Sequence, residues 1–127
     1  MIAIIDSGGA NIASVQFALE RLGAKSVLTR DAAEIVAADR VPLPGVGAAP
    51  VAMSALNDAQ LIETIRKLRQ PVLGICLGMQ LLFGRSFGGD TDLLGILDGE
   101  CSAFTPAEGR SVPHMGWNRL HPTTTHA

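Results

Sequence analysis

The pentapeptide Gly74-Ile75-Cys76-Leu77-Gly78 is where residue types and spacing point most directly to covalent chemistry. An apolar run from Pro71 leads in, and a helix-like run, Leu77 to Gly84, leads out. Gly-x-Cys-x-Gly between a strand and a helix has the form of a nucleophile elbow. Such a turn strains its central residue, and its backbones crowd so closely that only small neighbours fit. A thiol held there stands at a helix N-terminus, where the dipole favours the thiolate and free backbone N–H groups can hold an oxyanion, that of Leu77 first. The alternative is a small core thiol, because free cysteines are commonly buried and inert. The pentapeptide by itself leaves both readings open; its place directly after a strand favours the nucleophile. Cys101 has no such setting and reads as structural.

Two further stretches carry chemical interest. Pro44-Gly45-Val46-Gly47 follows an apolar run and is flexible enough to present an N–H to a tetrahedral intermediate; equally, Pro-Gly is a common turn pair. His114-Met115-Gly116-Trp117-Asn118 contains the chain's one tryptophan, which can be core or an interface anchor, and composition does not decide between them.

The elements that must position these residues alternate. Residues 1–6 read as a buried parallel strand, and 7–10 as a tight loop. Asn11 can cap a helix running to Gly23, with Ile12, Val15, Leu19 and Leu22 on one face. Residues 25–29 are the second strand, 31–39 a short helix opening on an acid, and 40–45 a third strand in which Pro42 removes a ladder donor. A loop is expected over 44–50 and a continuous helix over 57–70, with Leu61, Ile65 and Leu68 on one face. Pro71 opens the fourth strand, and a helix spans 77–84. This alternation predicts an α/β fold on a parallel sheet with right-handed crossovers, whose active site lies beyond the carboxyl ends of the strands. Asp6, the 44–47 loop and Cys76 all sit at such ends. Beyond residue 85 a loop, two short strands joined near Asp98-Gly99, and another strand over 112–121 are expected.

The 127 residues suit one domain, 1–127. Apolar residues make up 47% of them, enough for a core, while aromatics are scarce, so Ala, Val, Ile, Leu and Gly must do the packing. The net charge of −2 is scattered without a basic patch, which argues against nucleic acid. The opening apolar run is too short for a signal peptide or a membrane span. Two cysteines make no disulfide framework. A soluble protein of a reducing compartment, the cytoplasm, is expected, with no metal and no cofactor.

Together the motifs resemble those of a known family. The stretch from Gly74 to Leu82, Gly-Ile-Cys-Leu-Gly-Met-Gln-Leu-Leu, resembles the nucleophile segment of class I, triad-type glutamine amidotransferases. Pro-Gly-Val-Gly (44–47) and Pro-His-Met-Gly-Trp-Asn (113–118) narrow the resemblance to the glutaminase subunit of imidazole glycerol phosphate synthase, in histidine biosynthesis. Residues 1–15 and 93–100 are similar to further segments of that family, so the likeness runs over 1–122. It implies a Rossmann-like or flavodoxin-like three-layer sandwich with a mostly parallel central sheet. It further implies that Cys76 attacks the side-chain amide of glutamine, that Leu77 and, after a rearrangement near Val46, Gly47 supply oxyanion N–H groups, and that Gly45, Gly47 and Gln80 hold the substrate. Ammonia would pass to a cyclase subunit built as a (β/α)₈ barrel, faced by Asn11, His114, Met115, Trp117 and Asn118.

Departures from the pattern are also visible. The family has an aromatic near Ser7, a bulky apolar residue near Pro42, and an acidic pair where this chain reads Arg85-Ser86-Phe87 and onward. Its catalytic His and Glu belong to a His-Pro-Glu motif far downstream. Here His121-Pro122 is followed by Thr123, His126 has no carboxylate two positions on, and His114 belongs to the His-Met-Gly-Trp-Asn motif, so no histidine matches the base. The expectation is therefore an incomplete form, lacking that C-terminal segment and lacking turnover. A non-catalytic module docking on the cyclase, and a different cysteine enzyme on a similar sheet, are the alternatives.

Overall fold

The structure, a computed structural model, describes residues 1–8, 12–87 and 90–123. The apolar opening run forms strand β1 (Ile2–Ile5), and β2 (Ser26–Thr29) pairs with it in parallel, Ile2 opposite Ser26 and Ile5 opposite Thr29. Strand β3 (Val41–Gly45) pairs in parallel with β4 (Val72–Cys76), from Val41 opposite Val72 to Gly45 opposite Cys76. β1 and β3 lie side by side through a bridge between Ile2 and Arg40, with Ala3 N–H donating to the Arg40 carbonyl at 3.1 Å. The strand order is thus 2-1-3-4, all parallel, and the fold is α/β.

The join between β1 and β3 is unusual, and Pro42 and Pro44 explain it. Val41 N–H donates to Pro71 O at 3.0 Å, toward β4, so the alternate positions 40, 42 and 44 face β1. Two of those three are prolines with no N–H to give, and no continuous ladder can form. The carbonyl of Pro44 finds its partner elsewhere: buried Ser7 donates to it from Oγ at 2.8 Å. β3 is nevertheless the most uniformly buried strand of the sheet.

Helices flank this sheet. Asp31 caps α2 (Ala32–Ala37), its Oδ1 accepting from Ala33 N–H at 2.7 Å and Glu34 N–H at 3.2 Å. Ile35 of α2, Ala52 and Leu56 of α3 (Ala49–Asp58), Ile65 of α4 (Ile62–Arg66), and Leu77 and Leu81 of α5 (Leu77–Leu81) pack with Ala3, Ile5, Val41 and Leu43 in one core. Ile4, alternating with Ala3 and Ile5, is buried on the other face. Helix α1 (Ile12–Arg21) contacts β2; none of its residues is buried, and Phe17 stays exposed.

Five expectations are corrected. The loop expected over 44–50 stops at Ala48, because Pro50 suits the first turn of a helix and α3 begins at Ala49. The continuous helix expected over 57–70 is broken: α3 ends at Asp58, Gln60 takes φ 56°, and Leu61 N–H donates back to Leu56 O at 2.9 Å before α4 starts. A straight helix would set Leu56 and Leu61 about 140° apart around its axis; the turn brings both fully inside. Past α5, the expected loop is instead a small sheet in which β5 (Arg85–Ser86) pairs antiparallel with β6 (Thr91–Asp92) and parallel with β7 (Glu100–Cys101). No hairpin forms at Asp98-Gly99. The amides of Leu94, Gly95, Ile96 and Leu97 bind carbonyls of Leu81, Phe83 and Leu82 at 2.8–2.9 Å, wrapping the chain around the end of α5. Arg66 pins this wrap, its Nε donating to Leu94 O at 2.8 Å. Residues 112–121 form no strand. Among the described residues, no helix is long and apolar enough to cross a membrane.

Candidate active site

Strand β4 runs straight into α5, and Cys76 is both the last residue of the strand and the cap of the helix. Its backbone sits at φ 55°, ψ −118°, a conformation that a side chain bearing a Cβ adopts only under strain. The thiol is exposed. The glycines around it are dictated by space. A Cβ on Gly78 would stand 1.7 Å from the Leu43 carbonyl oxygen, and one on Gly74 would stand 2.5 Å from Met79 Cα. The turn is sharp because helix α5 lies directly against β3 and β4.

The pairing of Gly45 with Cys76 brings the end of β3 beside the elbow. Gly45 is buried there, while Val46 and Gly47 emerge to solvent, Gly47 at φ 88°. From Gly47 the wall of a small cavity, about 220 Å³, continues through Ala48, Ala49, Leu77, Gln80, Ser86, Cys101, Ser102 and Ala103. Three of the residues expected in the site, Gly47, Leu77 and Gln80, thus meet in one hollow next to the nucleophile candidate. The N–H of Leu77 opens α5 and has no intrahelical acceptor.

The rest of the expected set lies elsewhere. His114 is exposed, its Nε2 2.6 Å from Asn118 Nδ2, and with Met115 it lines a separate groove of about 690 Å³ beside Phe104 and Arg110. Met115 and Trp117 are exposed, the indole completely. Asn11 and His126 lie outside the described residues. Among the described residues no histidine lines the cavity beside Cys76.

The family model for class-I glutamine amidotransferases matches residues 3–124. The chain belongs to that family. Among curated relatives, the imidazole glycerol phosphate synthase subunit HisH of Xanthomonas axonopodis pv. citri (strain 306) is 57% identical over 121 residues, 95% of this chain and 60% of the relative. The protein of the same name from Xylella fastidiosa (strain Temecula1 / ATCC 700964) is 54% identical over the same shares. The chain therefore spans 60% of the length of these relatives. A crystal structure of a glutamine amidotransferase superposes with a TM-score of 0.69 at 18% identity, covering 80% of this chain and 56% of the other, a likeness of fold.

Within this candidate site, sequence reasoning missed the far wall. Ser86, Cys101 and Ser102 reach the cavity through β5 and β7, strands of two residues each, too short for any periodic pattern. The available signal was charge: Arg85 pairs with Asp90 and, at 3.9 Å, with Asp92, across the chain reversal. Cys101, expected to be structural, is half-buried and lends its Sγ to the Gln80 carbonyl at 3.7 Å, so it packs the cavity from behind Gln80. At the same carboxyl edge of the sheet, Asp6 accepts from Arg30 Nε at 2.9 Å and Gly8 N–H at 3.0 Å. Burial pushes its carboxyl up, but the two hydrogen bonds and the Arg30 charge outweigh that and hold it below the ordinary value.

Proposed function

We propose that the chain carries the nucleophile half of a glutaminase, as the subunit of imidazole glycerol phosphate synthase that feeds ammonia to the cyclase in histidine biosynthesis. The observation that carries this reading is the strained Cys76 elbow opening beside a hollow shared by Gly47, Leu77 and Gln80. The 57% identity with a HisH relative directs the reading to this enzyme among amidotransferases.

In the reaction, the Cys76 thiolate attacks the side-chain amide carbon of glutamine. The carbonyl electron pair moves onto oxygen, and the oxyanion is held by the N–H groups of Leu77 and, after the loop turns at Val46, of Gly47. Gly45 shapes the floor of that loop and Gln80 binds the substrate. The nitrogen gains a proton and leaves as ammonia, giving a glutamyl thioester that water cleaves to glutamate. The thiol proton and the leaving-group proton call for a base and acid. Among the described residues, His114 and His121 are exposed and line no part of the cavity, so neither fills that role. Ammonia would then travel to a (β/α)₈-barrel cyclase.

Labelling by a glutamine-analogue diazoketone tests the reading. Covalent modification mapped to Cys76, blocked by glutamine and absent in Cys76→Ser, is expected; modification that ignores glutamine would sink it. A second reading, a module that docks on the cyclase without catalysis, is favoured by the exposed Met115, Trp117 and Leu120. It predicts co-purification with the cyclase that Trp117→Ala weakens and Cys76→Ser leaves intact. Undiminished co-purification of Trp117→Ala would leave this docking role without support.

A further inference from the structure

We propose that Ser86 is a substrate-contact residue, its hydroxyl hydrogen-bonding the α-amino-acid head group of the glutamine whose amide lies at Cys76. This rests on the glutaminase reading above. Ser86 is 5% exposed and lines the cavity that Gly47, Leu77 and Gln80 share. Its hydroxyl makes no hydrogen bond among the described residues. Yet none of the described buried side-chain oxygens is sealed off without a partner. The Ser86 oxygen therefore keeps a little accessible surface, and its residue is part of the cavity wall.

A hydroxyl that is nearly buried and unpartnered is costly unless something binds it. The volume, about 220 Å³, is below the ~300–1,000 Å³ of sites for drug-sized ligands and suits an amino acid. With the amide oxygen taken by backbone N–H groups at the elbow, the polar groups left on glutamine are its ammonium and carboxylate. A serine hydroxyl serves either one, accepting from the first or donating to the second. Of the other wall groups, the Cys101 thiol already donates to the Gln80 carbonyl, and Ser102 is exposed where Ser86 is buried.

The test reads alkylation of Cys76 by iodoacetamide, mapped by peptide mass spectrometry on the full chain, with glutamine or butyramide as protectant. Butyramide has the amide and lacks the head group. In Ser86→Ala, the glutamine concentration giving half-protection should rise about tenfold, as expected for losing one hydrogen bond to a charged group. Protection by butyramide and the alkylation rate without ligand should not change, and Ser86→Thr should recover glutamine protection. Unchanged glutamine protection in Ser86→Ala overturns the proposal. So does an equal loss of protection by both ligands, or a changed basal rate, either of which marks a merely structural serine. Failure of glutamine to protect the wild-type thiol overturns the glutaminase reading itself, and this assignment with it.

Discussion

Holding Cys76 at φ 55° costs the fold on the order of 1–3 kcal/mol. Glycine adopts that conformation freely, so Cys76→Gly should raise the melting temperature by several degrees, measured by calorimetry, while abolishing thiol labelling at this position. A melting point equal to or below that of wild type would show that the elbow is unstrained. The same crowding makes the opposite prediction two residues on. Gly78→Ala places a Cβ against the Leu43 carbonyl and should cost about 3 kcal/mol or more, read as a shifted denaturant midpoint or as loss of soluble protein. This part of the site was legible in the sequence because an elbow is local. Gly74, Cys76, Leu77, Gly78 and Gln80 fall within seven consecutive residues and need only the strand and helix on either side. Ser86 and Ser102 were not legible, because their place in the cavity depends on how residues 85–103 fold back over α5.

Among the elements, β3 shows how a sequence signal can be right about a residue and incomplete about its surroundings. Pro42 does withhold a donor, as its type demands, but the donor is withheld from β1 alone, and pairing with β4 is uninterrupted. The substitute partner, Ser7, was not foreseeable, since its bond to Pro44 joins residues 37 apart in the chain. Ser7→Ala should leave the Pro44 carbonyl buried and unpaired and cost about 1–3 kcal/mol, measured by urea unfolding. An unchanged midpoint would mean that the hydroxyl is dispensable at that join. The break between α3 and α4 was hidden for a different reason. Helical periodicity persists on both sides, and only the demand to bury Leu56 and Leu61 together reveals the turn.

At the scale of the whole molecule, two long-range observables follow. The folded carboxyl of Asp6 titrates below its unfolded counterpart, so it stabilises the protein above about pH 4, and that contribution is lost as the pH falls through the folded value. Asp6→Asn should therefore be less stable than wild type at neutral pH, and the gap should close in acid; a gap independent of pH would contradict the Asp6–Arg30 account. Trp117, the one tryptophan and fully exposed, should emit like free indole in water and be quenched readily by acrylamide. If the cyclase docks there, emission should move to shorter wavelength on mixing, and a spectrum unaltered by a bound partner would place the contact elsewhere.

The prolines of β3 also bear on the freedom of the loop at Val46 and Gly47 to move. A strand zipped on both sides transmits any twist at its end into two ladders. Here Pro42 and Pro44 give no amide of their own toward β1, where the segment is held by the Ala3 amide on the Arg40 carbonyl and, next to the loop, by the Ser7 hydroxyl on Pro44, while its pairing toward β4 runs unbroken. Gly47 can rotate its N–H toward the elbow without unpairing any amide on the β1 side. The strand behaves as a hinge leaf with one edge screwed down, and the other edge is looser beside the loop that the glutaminase reading asks to swing.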